Sequence, residues 1–148
     1  MAYPTNPSCV KVDVADKICT IWLSRPEARN SWTEVMRAEI VDAVDAASRD
    51  PEVRVIVFAG DPEGKAFCAG ADLSAGGEAA FGSDGSVMPG DIPPGRPVNN
   101  STWRDGGGTA GVAVVRCTKP TICAINGHAV GVGITFPLTC DMRVVSED

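Results

Sequence analysis

The chain has 148 residues, 44% hydrophobic and 22% charged, which fits one globular domain able to bury a sizeable core. A formal net charge of −6 without any Lys/Arg stripe argues against a nucleic-acid partner, whose phosphates are held by clustered cations. The N-terminal MAYPTNPSC lacks a basic segment followed by an apolar run, and no stretch reaches the roughly 18 apolar residues of a membrane span, so the reading is a cytoplasmic protein without a membrane partner.

Val10–Asp13 and Ile18–Leu23 are β-rich runs separated by Ala15-Asp16-Lys17, a hairpin pattern. After the polar turn Ser24–Asn30, Ser31 with Glu34 three residues on forms a capping-box signature. Trp32, Val35, Met36, Ile40 and Val44 then recur at helical spacing and define one apolar face. Asp50-Pro51 stops this helix near Arg49. Val53–Ala59 is nearly unbroken in β-branched and apolar residues, the pattern of a strand buried on both faces. Gly60–Lys65 is a turn, and the small residues of Ala66–Asp72 indicate closely placed backbone.

From about Ser74 to Gly108 the sequence turns rich in Gly, Pro, Asp and Asn, and residues 74–108 read as a long flexible loop, a lid or a disordered insertion. Thr109–Cys117 is a short helix ended by Lys119-Pro120, and Thr121–Ile125 is a second buried strand. Asn126–Gly133 is another Gly-punctuated turn, followed by Ile134–Leu138 and Asp141–Val145. Strands alternating with helices place the chain in the α/β class. Six cysteines lie mostly within apolar runs, where a thiol behaves as a small hydrophobe. Without a C-x-x-C and with one His, the sequence supports neither disulfides nor a metal site.

A strand that ends in a Gly turn and re-enters helix leaves N–H groups unpaired, and these suit a phosphate or a developing oxyanion. Two places qualify, Gly70-Ala71-Asp72 and Gly131-Val132-Gly133. Pattern alone reads them more readily as tight turns beside a packed core. Gly131-Val132-Gly133 is no dinucleotide fingerprint, because Phe136 stands at the third glycine position, and no Gly-x-Ser-x-Gly marks a serine hydrolase.

Five segments in order resemble the crotonase (enoyl-CoA hydratase/isomerase) superfamily: Arg25–Asn30, Asp50–Val57, Lys65–Leu73, Lys119–Gly133 and Cys140–Arg143. The resemblance spans the chain from about residue 10 onward. It implies a crotonase-like spiral of ββα repeats forming two roughly perpendicular sheets, and an acyl-CoA thioester as ligand. Coenzyme A then arrives with the substrate and no separate cofactor is implied. By position, the backbone N–H groups of Ala71 and Val132 form the oxyanion hole, with Val132 standing where many relatives have Gly. Ala69, Gly70, Ala71, Asp72 and Leu73 line the adenine and pantetheine path, and Arg29 or Arg25 approaches the CoA phosphates or is simply solvated.

The sequence also departs from the family pattern. Thr135 occupies the position of the first hydratase glutamate, and a hydroxyl is no general base near neutral pH without an activating group. The second glutamate position lies beyond Asp148. Double-bond isomerisation is therefore favoured over hydration, and this chain alone is expected to be inactive; an acyl-CoA-binding module or an inactive fragment is the alternative. The C-terminal helices that build the family's trimer or hexamer do not occur in the sequence, which leaves a truncated or a naturally short chain. His128 and Cys68 read more readily as a structural histidine and a packed thiol than as catalytic groups. Trp103 and Arg104 are lid candidates; Thr139, Asp141 and Glu147 are remote candidates for the missing catalytic group, with Asp141 expected instead to pair with backbone or with Arg143 in the core.

Overall fold

A computed structural model describes residues 3–74 and 106–147. Strands β1 (Val10–Ala15) and β2 (Ile18–Leu23) form the expected antiparallel hairpin, turned by Asp16 and Lys17 at positive φ. Helix α1 (Glu34–Arg49) leads to strand β3 (Val55–Gly60), then to the short strand β4 (Ala66–Cys68). Helix α2 (Gly106–Arg116) precedes strands β5 (Thr121–Ile125) and β6 (His128–Ala129). Helix α3 (Val132–Thr135), a 3-10 turn at Pro137–Thr139 and strand β7 (Met142–Val145) follow.

One five-stranded sheet runs β1-β2-β3-β5-β7, and β4-β6 form a separate pair. Each repeat therefore sends its first strand to the large sheet and its second to the small one. β3 and β4 precede α2, and β5 and β6 precede α3. The first repeat is abbreviated: after β2, a single bridge from Trp32 to Ala71 stands in for the second strand. This is the α/β, ββα-repeat architecture that the sequence implied.

The large sheet packs on α1 through Cys19, Ile21, Leu23, Ile56, Phe58 and Cys123 on one side and Met36, Ile40, Ala43 and Val44 on the other. Full burial of side chains such as Met36 and Ile40 stabilises the fold by about 1.5–3 kcal/mol each. Phe58 meets Phe136 edge to face with centroids 5.1 Å apart, and Phe136 meets Trp32 at a tilt with centroids 5.2 Å apart, tying this core to the Gly-punctuated turns.

Several local expectations need correction. The helix is capped by Thr33, whose hydroxyl accepts from the Met36 N–H, and not by Ser31. Ser31 is buried and occupied by Arg25, whose Nη1 donates to its carbonyl and hydroxyl. Val35 faces outward at 52% exposure, because its spacing puts it roughly 100–180° around the helix from the Met36–Ile40–Val44 stripe. β3 begins at Val55, since Val53 is still bonded to the Asp50 carbonyl. α2 starts at Gly106, so the long loop ends earlier than its composition indicates. The remainder of 74–108, with Trp103 and Arg104, lies outside the described residues apart from Ser74.

Polar side chains in the turns fix how β3 hands over to β4. Asn30 is fully buried with φ 55°; its Nδ2 donates to the Asp61 and Ala66 carbonyls and its Oδ1 accepts from the Arg25 N–H. Asn126 brackets Gly60, accepting from its N–H and donating to its carbonyl. Asp61, 4% exposed, accepts from Lys11 Nζ at 2.6 Å, Ser24 Oγ at 2.7 Å and the Glu63 N–H at 3.1 Å. Lys11 and Ser24 thereby hold its carboxyl below the ordinary aspartate range.

A depressed folded-state pKa stabilises the protein at pH values above the unfolded value. The Asp61 contribution should thus be complete above about pH 4, shrink below it, and vanish as pH falls through the depressed value. Asp61→Asn should cost about 1–2 kcal/mol at neutral pH, Lys11 being too exposed to add much. Denaturant unfolding at stepped pH checks this: the two stability curves should converge on acidification, and a constant gap would contradict it.

Candidate active site

The segment from β4 to Asp72 has neighbours on both edges. On one edge, the Trp32 N–H donates to the Gly70 carbonyl at 2.8 Å, and the Asp72 N–H donates to the Trp32 carbonyl at 2.8 Å. In parallel pairing this pattern leaves the intervening residue's own N–H and carbonyl turned to the opposite edge. The Ala71 N–H accordingly has no partner among the described residues.

On the other edge runs β6, paired through Ala66 with His128 and through Cys68 with Ala129. The pairing ends where the Val130 N–H donates to the Cys68 carbonyl at 3.0 Å. Gly131, at φ 55°, then reverses the chain into α3 without a side-chain cap. Its carbonyl accepts from the Ile134 and Thr135 N–H groups, while the Val132 N–H has no partner among the described residues. Gly70, at φ 98°, lies against the Val130 carbonyl, and a Cβ built on Gly131 would point to within 4.0 Å of Gly70 Cα. Two Gly turns at the ends of two adjacent parallel strands thus present one unpaired N–H each. Only the α3 donor carries helix-terminal character, and a helix so short adds little dipole.

Most of the other residues singled out from the sequence surround this pair in supporting roles. Arg25 does not reach outward: it is 19% exposed and its Nη1 meets Asp72 Oδ2 at 2.7 Å. Ser74, through its hydroxyl and N–H, and then Arg25 hold the Asp72 carboxyl well below the usual carboxylate range. Asp72 is thus a neutralised clamp on the turn. Arg29 is exposed, at φ 52°, and its carbonyl accepts from the Ala69 N–H at 3.1 Å. Leu73 is 60% exposed beside the turn. Cys68 is fully buried, and burial raises its thiol pKa against partial compensation from the Gly70 and Trp32 N–H groups. That is a packed thiol, not a nucleophile. His128 is exposed on β6.

Thr135 ends α3 and is exposed on a cleft of about 530 Å³ between α2 and α3. Phe136 and Thr139 also line it. Thr139 donates to the Phe136 carbonyl at 2.7 Å, so its hydroxyl is already engaged. Asp141 is exposed rather than in the core, but it does pair with backbone, as one of the two expectations had it, and not with Arg143: its Oδ2 accepts from the Thr121 N–H and also from the Thr121 hydroxyl. Arg143 instead donates to the Pro137 and Cys140 carbonyls. Glu147 is exposed beyond β7. Among the described residues no cluster of three or more His, Cys, Asp or Glu could hold a metal, and no helix is long and apolar enough to cross a membrane. All six cysteines are free thiols.

Reasoning from sequence did not single out Asn30, Asp61, Asn126 or the cleft between α2 and α3. Their partners lie far along the chain, as with Asn126 and Gly60, so no local pattern marks them.

Residues 18–148 match the family model described as enoyl-CoA hydratase/isomerase. The chain is 41% identical over 133 residues to enoyl-CoA hydratase ACTT3 of Alternaria alternata, covering 90% of this chain and 39% of that protein. It is 36% identical to the probable enoyl-CoA hydratase echA14 of Mycobacterium tuberculosis, covering 91% and 46%. The crystal structure of an enoyl-CoA hydratase from Mycobacterium avium subsp. paratuberculosis superposes with a TM-score of 0.70 at 26% identity, over 98% of this chain and 49% of that one. The chain thus spans about half, or less, of the length of these relatives. With the ββα repeats and the paired Gly turns in matching order, the chain belongs to the enoyl-CoA hydratase/isomerase family.

Proposed function

We propose that this chain forms the thioester-binding part of an acyl-CoA enzyme, in which the Ala71 and Val132 N–H groups hold the thioester carbonyl oxygen. The observation that carries this reading is the pair of unpartnered N–H groups on adjacent Gly turns. As a proton leaves the carbon next to the carbonyl, negative charge accumulates on that oxygen. Donors already fixed by the backbone need no reorganisation to stabilise it, and each is worth on the order of 3 kcal/mol in the transition state. Ala69, Gly70, Asp72 and Leu73 would lie along the coenzyme A portion. Arg29, exposed beside Ala69, is the side chain available to its phosphates.

The reaction favoured is movement of a double bond rather than addition of water. Hydration needs a group to activate water over the double bond, and the hydroxyl of Thr135 does not serve as a general base near neutral pH. Isomerisation needs only one proton-carrying group, and no carboxylate lines the described cleft. A protein that binds the thioester without turning it over is the second reading, and the same absence favours it.

Isothermal titration of the intact protein with a saturated acyl-CoA tests binding; no saturable heat at millimolar ligand would sink the proposal. Val132→Pro removes one donor at a first helical position, where proline is tolerated. It should lower turnover about a hundredfold while the melting temperature stays close to that of the parent. Unchanged turnover would remove Val132 from the role. Thr135→Glu should raise water addition to a 2-enoyl-CoA by about a hundredfold or more, seen as a product heavier by one water. A parent protein that already hydrates efficiently and does not isomerise would overturn the preference.

A further inference from the structure

The cleft between α2 and α3 is lined by Gly107, Gly108, Gly111, Val112, Val115, Arg116, Thr135, Phe136 and Thr139. Nearly all of it is apolar or backbone. Phe136 is 2% exposed and forms the floor, held by Trp32 and Phe58. Gly111 lets α2 approach closely, since a Cβ there would fall 2.9 Å from Thr139 Cγ2.

Arg116 is the one ionisable residue on this lining, and it makes no hydrogen bond or ion pair among the described residues. Among the described residues, four of the other six arginines are engaged: Arg25 with Asp72, Arg37 with Glu34, Arg49 with Asp45 and Arg143 with two carbonyls. Thr135 also brings a hydroxyl without a partner among the described residues, one helical turn from the Val132 donor. The cleft therefore offers a largely apolar lining that carries one cation, and Thr135 on that lining lies about 4.5 Å along α3 from the proposed oxyanion donor.

From this arrangement we infer that the cleft receives an acyl group whose far end carries a carboxylate, paired with the Arg116 guanidinium. The inference rests on the proposed thioester reading and names its substrate class. An acyl chain ending in a methyl group would leave the guanidinium beside apolar surface with only water to satisfy it. A terminal carboxylate gives it a charge-assisted, potentially bidentate partner, while the methylene chain covers Val112, Val115 and Phe136.

Adipoyl-CoA and hexanoyl-CoA are suitable probes, with the same number of acyl carbons and differing at the distal end in a carboxylate or a methyl group. Titration of the intact protein should show adipoyl-CoA binding about tenfold more tightly. Arg116→Gln should abolish that preference while hexanoyl-CoA affinity stays the same, and Arg116→Lys should restore part of it. The preference should also shrink with added salt. Equal affinity for the two thioesters, or a preference unchanged in Arg116→Gln, would overturn the inference and leave the thioester reading standing. Failure of both thioesters to bind would overturn both. Loss of hexanoyl-CoA binding in Arg116→Gln would assign Arg116 a structural role and overturn the specificity role.

Discussion

The carbonyl of Cys68 sets the geometry of everything around the candidate site. It accepts the Val130 N–H at 3.0 Å, and a Cβ on residue 133 would fall 2.5 Å from the same oxygen. No side chain fits at that separation, so α3 can begin over the end of β4 only because residue 133 is glycine. The two strands must stop together for the two Gly turns to meet. Cys68 in turn is held by β4, whose start is fixed where Asn30 donates to the Ala66 carbonyl. β3 also lies unusually close to β4, since a Cβ on Gly60 would sit 2.6 Å from Phe67 Cα. A chain of backbone contacts, each depending on a missing Cβ or a buried amide, thus places the Ala71 and Val132 donors.

Electrostatics around the turn follow the same logic. A free carboxylate at Asp72, next to Ala71, would repel any charge developing on an oxygen held by the Ala71 N–H. Ser74 and Arg25 absorb that charge, and Arg25 is itself steadied by the Ser31 carbonyl and hydroxyl. The ion pair therefore does two things. It fixes the residue after Ala71, and under the proposed function it keeps a negative field away from the oxygen on which charge would build.

How much of this was legible beforehand differs by type of signal. Long apolar runs announced β2, β3, β5 and α1, because burial dictates their composition whatever the partner. The start of α1 was misread by two residues because both Ser31 and Thr33 are competent caps; a distant partner, Asp72, decided it by recruiting Arg25 and with it Ser31. Gly106–Gly108 read as loop because glycine disfavours helix by roughly 1 kcal/mol per residue. Packing of α2 on Thr139 through Gly111 indicates why tertiary contact prevails there. The Ala71 and Val132 turns were visible as Gly-punctuated segments, and only the family resemblance favoured the donor reading over the plain turn. Asn30, Asp61 and Asn126 were not visible, because a lone polar residue in a turn looks the same whether it is solvated or buried against a carbonyl 36 residues away.

Backbone N–H groups and side chains respond differently to sequence change. An N–H at position 71 or 132 survives almost any substitution except proline, so the proposed oxyanion role does not depend on Val132 being any particular residue type. A side-chain role has no such latitude: under the proposed function Thr135 decides how a proton is handled, without disturbing α3 or the turn before it. The constraint on shape therefore falls on Gly70, Gly131 and Gly133, where positive φ or a 2.5 Å approach forbids a side chain. Under the proposed readings the constraint on chemistry falls on the exposed Thr135 and Arg116, which no packing among the described residues holds to one residue type. A fold organised in this way fixes where two backbone N–H groups point and leaves side-chain chemistry to a few surface positions.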